Sequence, residues 1–115
     1  MKKAGQIVLF QFPQTDLGAG KLRPALLLGR LLGEFDDWLV CMVSSQVHHY
    51  VAGFDEVLNE GDPDFKESGL KGASLIRTGR IAVVSSEVLL GSIGQISDER
   101  LNRIKQRLSD WLRAK

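Results

Sequence analysis

Arginines and hydroxyl side chains sit where this 115-residue sequence passes between loops and apolar runs. Arg23 stands in Leu22-Arg23-Pro24-Ala25, between a polar stretch with two glycines and an apolar run. Ser44, Ser45 and Gln46 end the apolar run that begins at Trp38, and Arg77 and Arg80 flank Thr78-Gly79. A guanidinium keeps its charge at any working pH, and its planar fork suits phosphate oxygens and stacks on exposed bases. Serine and glutamine at a strand end can donate hydrogen bonds to phosphate oxygens or base edges. The plainer reading of the residue types is that Arg23 and Arg77 pair with surface carboxylates, since most exposed charges are simply solvated.

Other chemistries find less support. His48 and His49 are adjacent, and neighbours in a strand point to opposite faces. No His-Glu-x-x-His, paired Cys-x-x-Cys or EF-hand pattern occurs, so neither a metal nor a cofactor is expected. The Asp16–Lys21 stretch lacks the Walker spacing, and there is no Gly-x-Ser-x-Gly elbow. The single cysteine, Cys41, lies in an apolar run and reads as a buried, inert thiol in a reducing, cytoplasmic compartment. The basic start leads into a short apolar segment broken at Pro13, which does not read as a signal peptide. No apolar run approaches the ~20 residues that span a bilayer, so no membrane partner is expected. A net charge of +1 creates no global field for nucleic acid. The C-terminal basic residues Arg100, Arg103, Lys105, Arg107, Arg113 and Lys115 fit a solvated helix face as well as a binding patch.

The elements that must position these groups are mostly short strands, within one domain over residues 1–115. Strands are expected at Gln6–Phe12, Ala25–Leu32 and Trp38–Ser45, the third apolar enough to be central. A hairpin-type turn covers 33–37, a shorter strand follows within 48–58, and the polar 59–72 stretch reads as a surface loop. Ser74–Ser86 reads as strand, Thr-Gly turn or bulge, then strand, and Ser85 or Ser86 could cap a brief helical turn. The strong helix begins with Ser97 as N-cap and acids Asp98 and Glu99 in its first turn. Leu101, Ile104, Leu108, Trp111 and Leu112 form its apolar stripe. Trp38 and Trp111 read as core. About five strands and one helix in so few residues suggest a small, strongly bent sheet or barrel.

Four segments in order carry a resemblance to a known family. Gly5–Leu28 has a Gly-Gln-Ile-Val start, a Phe-Pro-Gln-Thr-Asp-Leu turn and Lys-Leu-Arg-Pro-Ala-Leu-Leu-Leu; Leu39–Gln46 is the strand ending in hydroxyl residues; Gly69–Val84 supplies Gly-Leu-x-x-x-Ser followed by Arg77; Leu89–Ile104 supplies the Gly-Gln-Ile-Ser-x-Glu helix start. Together they resemble the MazF/PemK/Kid toxin endoribonucleases, in the PemK-like branch.

That resemblance implies a mainly β fold, an SH3-like barrel of the Kid/MazF/CcdB type with a C-terminal α-helix. It implies a growth-inhibiting toxin that works as a homodimer and cleaves single-stranded RNA without metal, by attack of the 2′-hydroxyl on the adjacent phosphate. A cognate antitoxin is the expected protein partner, and operator DNA would be bound only as the toxin–antitoxin complex. Arg23, Ser44 and Arg77 are the expected catalytic residues: Arg23 contacts the scissile phosphate, Ser44 supplies a hydroxyl, and Arg77 is a second cation. Thr15, Asp16, Lys21, Ser45, Gln46 and Arg80 are the expected RNA-binding residues. Gly79 stands where the family commonly has an acid, and Gly18 where many members have a glutamate. The general base therefore stays open between Asp16, which also reads as a turn former, and His48, whose titration range suits acid–base work. Gly79 also keeps a second reading open: a non-catalytic member of the fold that acts by binding a protein partner.

Overall fold

In the computed structural model, residues 2–11 and 22–114 are described, and they form one six-stranded sheet with a C-terminal helix. The strands are β1 (Gln6–Gln11), β2 (Leu22–Arg30), β3 (Asp37–Ser44), β4 (Glu56–Leu58), β5 (Ser74–Ser85) and β6 (Leu89–Gln95). A short helix, α1 (Phe65–Ser68), precedes β5, and α2 spans Asp98–Ala114. The sheet order is β4-β5-β3-β2-β1-β6 and every pairing is antiparallel. β3 is interior to the sheet, as its apolar run requires.

Side chains alternate across a strand, so each strand serves two faces. Ile7, Leu26, Cys41, Val43 and Ile76 gather on one face under Leu101, Ile104 and Leu108 of α2. Val8, Phe10, Ala25, Leu27, Trp38, Val40 and Leu89 gather on the other. A sheet this small that buries both faces must curl, and register shifts in β1–β6, β2–β3 and β3–β5 supply the bends. It is mainly β, with the expected C-terminal helix. The curl does not close into a hydrogen-bonded barrel, because β4 and β6 remain edges. Cys41 is buried as expected, and its burial, with Asp55 nearby, pushes the thiol up to about 12.

Several expectations need correction. A sixth strand, β6, was hidden by the glycine- and serine-rich Leu89–Gln95, which lacks the apolar alternation of a strand. The strand expected within 48–58 shrinks to β4; Val47–His49 is instead a 3-10 turn, with the two imidazoles 4.3 Å apart between centroids. The polar 59–72 stretch is not a mere surface loop. It contains α1, whose buried Ser68 lies against β6 so closely that a Cβ at Gly94 would come within 2.3 Å of the Ser68 carbonyl carbon. Of the turn or bulge read at Thr78-Gly79, it is the bulge that forms: Ser74–Ser85 is one continuous strand, with the register shift falling across Thr78–Arg80. Trp111 is 46% exposed and meets Phe54 with the rings tilted at 48° rather than lying in the core, whereas Trp38 is buried. Ser97 does cap α2: its Oγ accepts from the Arg100 N–H at 3.1 Å.

The basic face of α2 is not simply solvated. Arg100 is 6% exposed and bonds Glu56, Asp62 and Asp64, while Arg103 and Arg107 reach the same Glu56. The acids come from the β4–α1 region, so the network fastens α2 across the sheet edge.

Candidate nucleic-acid interface

The last register pair between β2 and β3 at this end is Ala25 with Met42. Arg23 and Ser44 each lie two residues beyond it, so period-2 alternation returns both to the face of Ala25 and Met42. Pro24, with φ fixed by its ring, stiffens the backbone between them. On β5, Leu75 is opposite Ser44 and Arg77 opposite Met42. Arg23, Ser44 and Arg77 therefore share one face over three neighbouring strands.

A cavity of about 490 Å³ opens at this strand end, lined among others by Arg23, Pro24, Ser44, Ser45, Gln46 and Lys71. The Gln46 N–H donates to Ser44 Oγ at 3.0 Å, which occupies an acceptor position and leaves the hydroxyl proton free to donate into the cavity. Ser74 Oγ donates to the Gly72 carbonyl at 2.9 Å and holds the Lys71–Ala73 turn against the β5 start. No carboxylate or imidazole is among the described lining residues. Arg23, Lys71, Arg77 and Arg80 form no ion pair with any described residue, so the pairing with surface carboxylates read from residue types does not occur among them. Cations and a hydroxyl around an opening without acids suit a polyanion.

Of the residues singled out in the sequence, the structure brings Arg23, Ser44, Ser45 and Gln46 together in one cavity. Arg77 stands one row further along β5 and is half-buried, outside the lining, and Arg80 is exposed in the β5 bulge. Thr15, Asp16 and Lys21 lie outside the described residues. Sequence reasoning missed Lys71. The signal was present but indirect: an antiparallel β3–β5 pair puts the turn before β5 beside the end of β3, so a cation in Gly69-Leu70-Lys71-Gly72 had to arrive at Ser44–Gln46.

Gly79 has a local cause. A Cβ there would lie 3.0 Å from Phe54 Cε2, a tight contact that a side chain could make only if the ring shifted by a few tenths of an ångström. Among the described residues no group of three or more His, Cys, Asp or Glu could hold a metal ion. No helix of those residues is long and apolar enough to cross a membrane.

Residues 3–112 match the PemK-like, MazF-like toxins of type II toxin–antitoxin systems. The chain belongs to that family. Among solved structures, the toxin resembles the Mycobacterium tuberculosis toxin MazF-mt6, with a TM-score of 0.66 at 15% identity over 94% of this chain and 96% of that one. It is also similar to an endoribonuclease in complex with its cognate antitoxin from a mycobacterial species, with a TM-score of 0.65 at 16% identity over 100% and 98%. At such identities the likeness establishes the fold, and it extends over almost all of the toxin. No curated protein sequence matches it.

Proposed function

We propose that this toxin is a metal-independent endoribonuclease that cuts single-stranded RNA in the cavity at the β2–β3 strand end, acts as a homodimer in the cytoplasm, and is held in check by a cognate antitoxin. The observation that carries the reading is that Arg23, Ser44 and Lys71 line one opening in which, among the described residues, there is no carboxylate and Arg23 has no ion-pair partner. In the reaction the 2′-oxygen bonds to phosphorus as the P–O5′ bond breaks, leaving a 2′,3′-cyclic phosphate and a 5′-hydroxyl. The 2′-hydroxyl gives up its proton, and one proton reaches the departing O5′. Negative charge builds on the non-bridging oxygens, and fixed donors aimed there are the large electrostatic contribution to such catalysis. Arg23 supplies the compensating positive charge from a proline-stiffened strand, Ser44 a hydrogen bond, and Lys71 holds a neighbouring phosphate. Arg77 and Arg80 extend the cationic track along β5, while Ser45 and Gln46 offer donors and acceptors to unpaired bases. Thr15, Asp16 and Lys21, which precede β2 in the sequence, are the remaining residues proposed to bind RNA.

The test is cleavage of a long single-stranded RNA in EDTA by wild type and Arg23→Ala. Discrete cuts with 5′-hydroxyl ends that disappear in the variant support the reading, and intact RNA with folded wild type overturns it.

A specific observation favours the non-catalytic alternative: the described cavity lining offers no carboxylate or imidazole as general base, and the Phe54 ring edge crowds a side chain at position 79. On that reading the cationic opening grips an acidic protein segment instead. Gly79→Asp distinguishes the two only if the ring yields, so the informative variant is Gly79→Asp with Phe54→Leu. A gain of cleavage in the double variant over Phe54→Leu alone identifies position 79 as the missing acid. No gain means that the acid is not required there.

A further inference from the structure

We propose that His48 and His49 form a stacking platform for one unpaired base of the RNA strand, at the rim of the cationic cavity. This rests on the reading of that cavity as an RNA site, and it adds what the site recognises besides phosphate. The two histidines continue the cavity wall. Ser44, Ser45 and Gln46 line the opening, and Val47–His49 is the 3-10 turn that follows them. At the ~2.0 Å rise per residue of such a turn, His48 stands roughly 4 Å beyond Gln46. Both histidines are exposed, with ring centroids 4.3 Å apart and ring planes tilted by 59°. Neither imidazole makes an ion pair or a side-chain hydrogen bond with a described residue, so the fold does not use them. Tyr50 follows at 45% exposure, which leaves three ring-bearing residues in a row in water.

The rings are presented by an ordered segment. The backbone N–H groups of Gln46, Val47 and His49 donate to Ser44 Oγ, the Ser45 carbonyl and the Gln46 carbonyl at 3.0, 3.0 and 3.1 Å. The turn is thereby fastened to the same Ser44 whose hydroxyl serves the phosphate. Its far side is fastened too. Asp55, only 3% exposed, accepts from the Val51 N–H through Oδ2 and from the Thr78 N–H through Oδ1, each at 3.0 Å. One buried carboxylate thus ties the segment that carries the rings to the β5 bulge, between Arg77 and Arg80. A platform held at both ends loses little freedom when a base settles on it.

Exposed rings beside a cationic opening are the combination by which single strands are held: the cations follow the phosphates and the rings take the bases. Histidine is among the side chains on which unstacked bases lie, whereas a base inside a duplex has no free face to offer. With their planes 59° apart the two imidazoles cannot both lie flat on one base, so one meets its face and the other its edge. The pair does not make a metal site, because no group of three or more His, Cys, Asp or Glu gathers among the described residues. Cations alone would hold any polyanion; the rings make binding depend on a base being present.

The test is fluorescence anisotropy of the full chain, at one fixed salt concentration, with two labelled strands of equal length and charge. One is a mixed-sequence single-stranded RNA with every 2′-oxygen methylated; the other is an abasic strand. Methylation removes the attacking hydroxyl, so a role of His48 as general base does not enter the readings. The double variant His48→Ala with His49→Ala should weaken binding of the RNA by about 5- to 150-fold, the range for one base on one ring. It should leave the abasic strand unchanged. The double variant His48→Phe with His49→Phe keeps the rings and should bind RNA like wild type, while Arg23→Ala should weaken both strands. Far-UV circular dichroism verifies that each variant is folded. An alanine pair that binds RNA like wild type, or that loses both strands equally, overturns the platform. A phenylalanine pair as weak as the alanine pair assigns the imidazoles a hydrogen bond or a charge and overturns stacking. A wild type that binds neither strand overturns the platform and the RNA reading of the cavity together. The expected binding results beside uncut RNA in the cleavage test overturn the nuclease alone and uphold the platform.

Discussion

Arg100 and Arg23 are the same residue type under opposite treatment. Arg100 uses all five N–H donors: two to Asp64, one each to Glu56, Asp62 and the Val57 carbonyl, at 2.9–3.2 Å. Arg23 is exposed at a cavity mouth and forms no ion pair with a described residue. A buried guanidinium whose donors are all satisfied fixes an architecture. An exposed one on a stiff strand is available to a ligand. Local sequence does not separate them, since both stand beside apolar residues; only the acids brought from elsewhere in the chain do.

The largest expected effect breaks the paired side. Arg100→Met strands Asp62 and Asp64 without their cation, and removing one partner of a buried charge cluster costs about 3–5 kcal/mol. The melting temperature should fall by on the order of 10–20 °C for a domain of this size. Specific cleavage per folded molecule should be unchanged. A melting loss of only a few degrees would mean that water solvates the acids and that the network is not structural.

The mirror experiment breaks the unpaired side. Arg23→Ala should reduce RNA cleavage by about 10²–10³-fold, the range for removing a single charge-stabilising donor. Its effect on stability should stay within about 0.5 kcal/mol, as for surface positions away from specific contacts. An Arg23→Ala protein that melts well below wild type would show that this arginine, too, serves the fold.

Much of the scaffold was legible because it obeys local rules. β1, β2, β3 and β5 announce themselves by apolar runs, and α2 by its Ser97 cap, acidic first turn and Leu101–Ile104–Leu108 spacing. The strand-end position of Arg23 and Ser44 was legible for the same reason, since it follows from where the runs stop. What stayed hidden depends on distance in the chain. Arg100 meets Asp64 and Glu56 across 36 and 44 residues, so its burial could not be read from α2 alone. Lys71 reaches the cavity only once β5 is known to lie against β3. β6 escaped because Gly91 and Gly94 replace the side chains that mark a strand, Gly94 making room for α1.

Acid should loosen the paired region, though only once the pH is low enough to protonate its carboxylates. Burial alone would raise the Asp64 carboxyl, but hydrogen bonds from Arg100 and the Ser97 N–H outweigh it and hold the group below its ordinary value. A depressed carboxyl contributes stability above its unfolded pKa of about 3.9, and that contribution is lost as pH falls through the lower folded value. The melting temperature should therefore drop on acidification below about pH 4. Asp64→Asn should start lower at neutral pH and show a flatter acid limb. Parallel curves for the two proteins would assign the acid sensitivity to other carboxylates.

Arg103 sharpens the comparison from within the network. It donates to the same Glu56 at 2.8 Å, yet its side chain is 43% exposed and Arg107 also reaches that carboxylate. Water competes for an ion pair at such a position, and exposed pairs contribute about 0.2–1 kcal/mol. Arg103→Ala should cost no more than that, a melting shift of a few degrees at most, and added salt should shrink the difference. A loss as large as that of Arg100→Met would mean that the three guanidiniums act on Glu56 as one unit, with burial of a single member no longer the deciding variable.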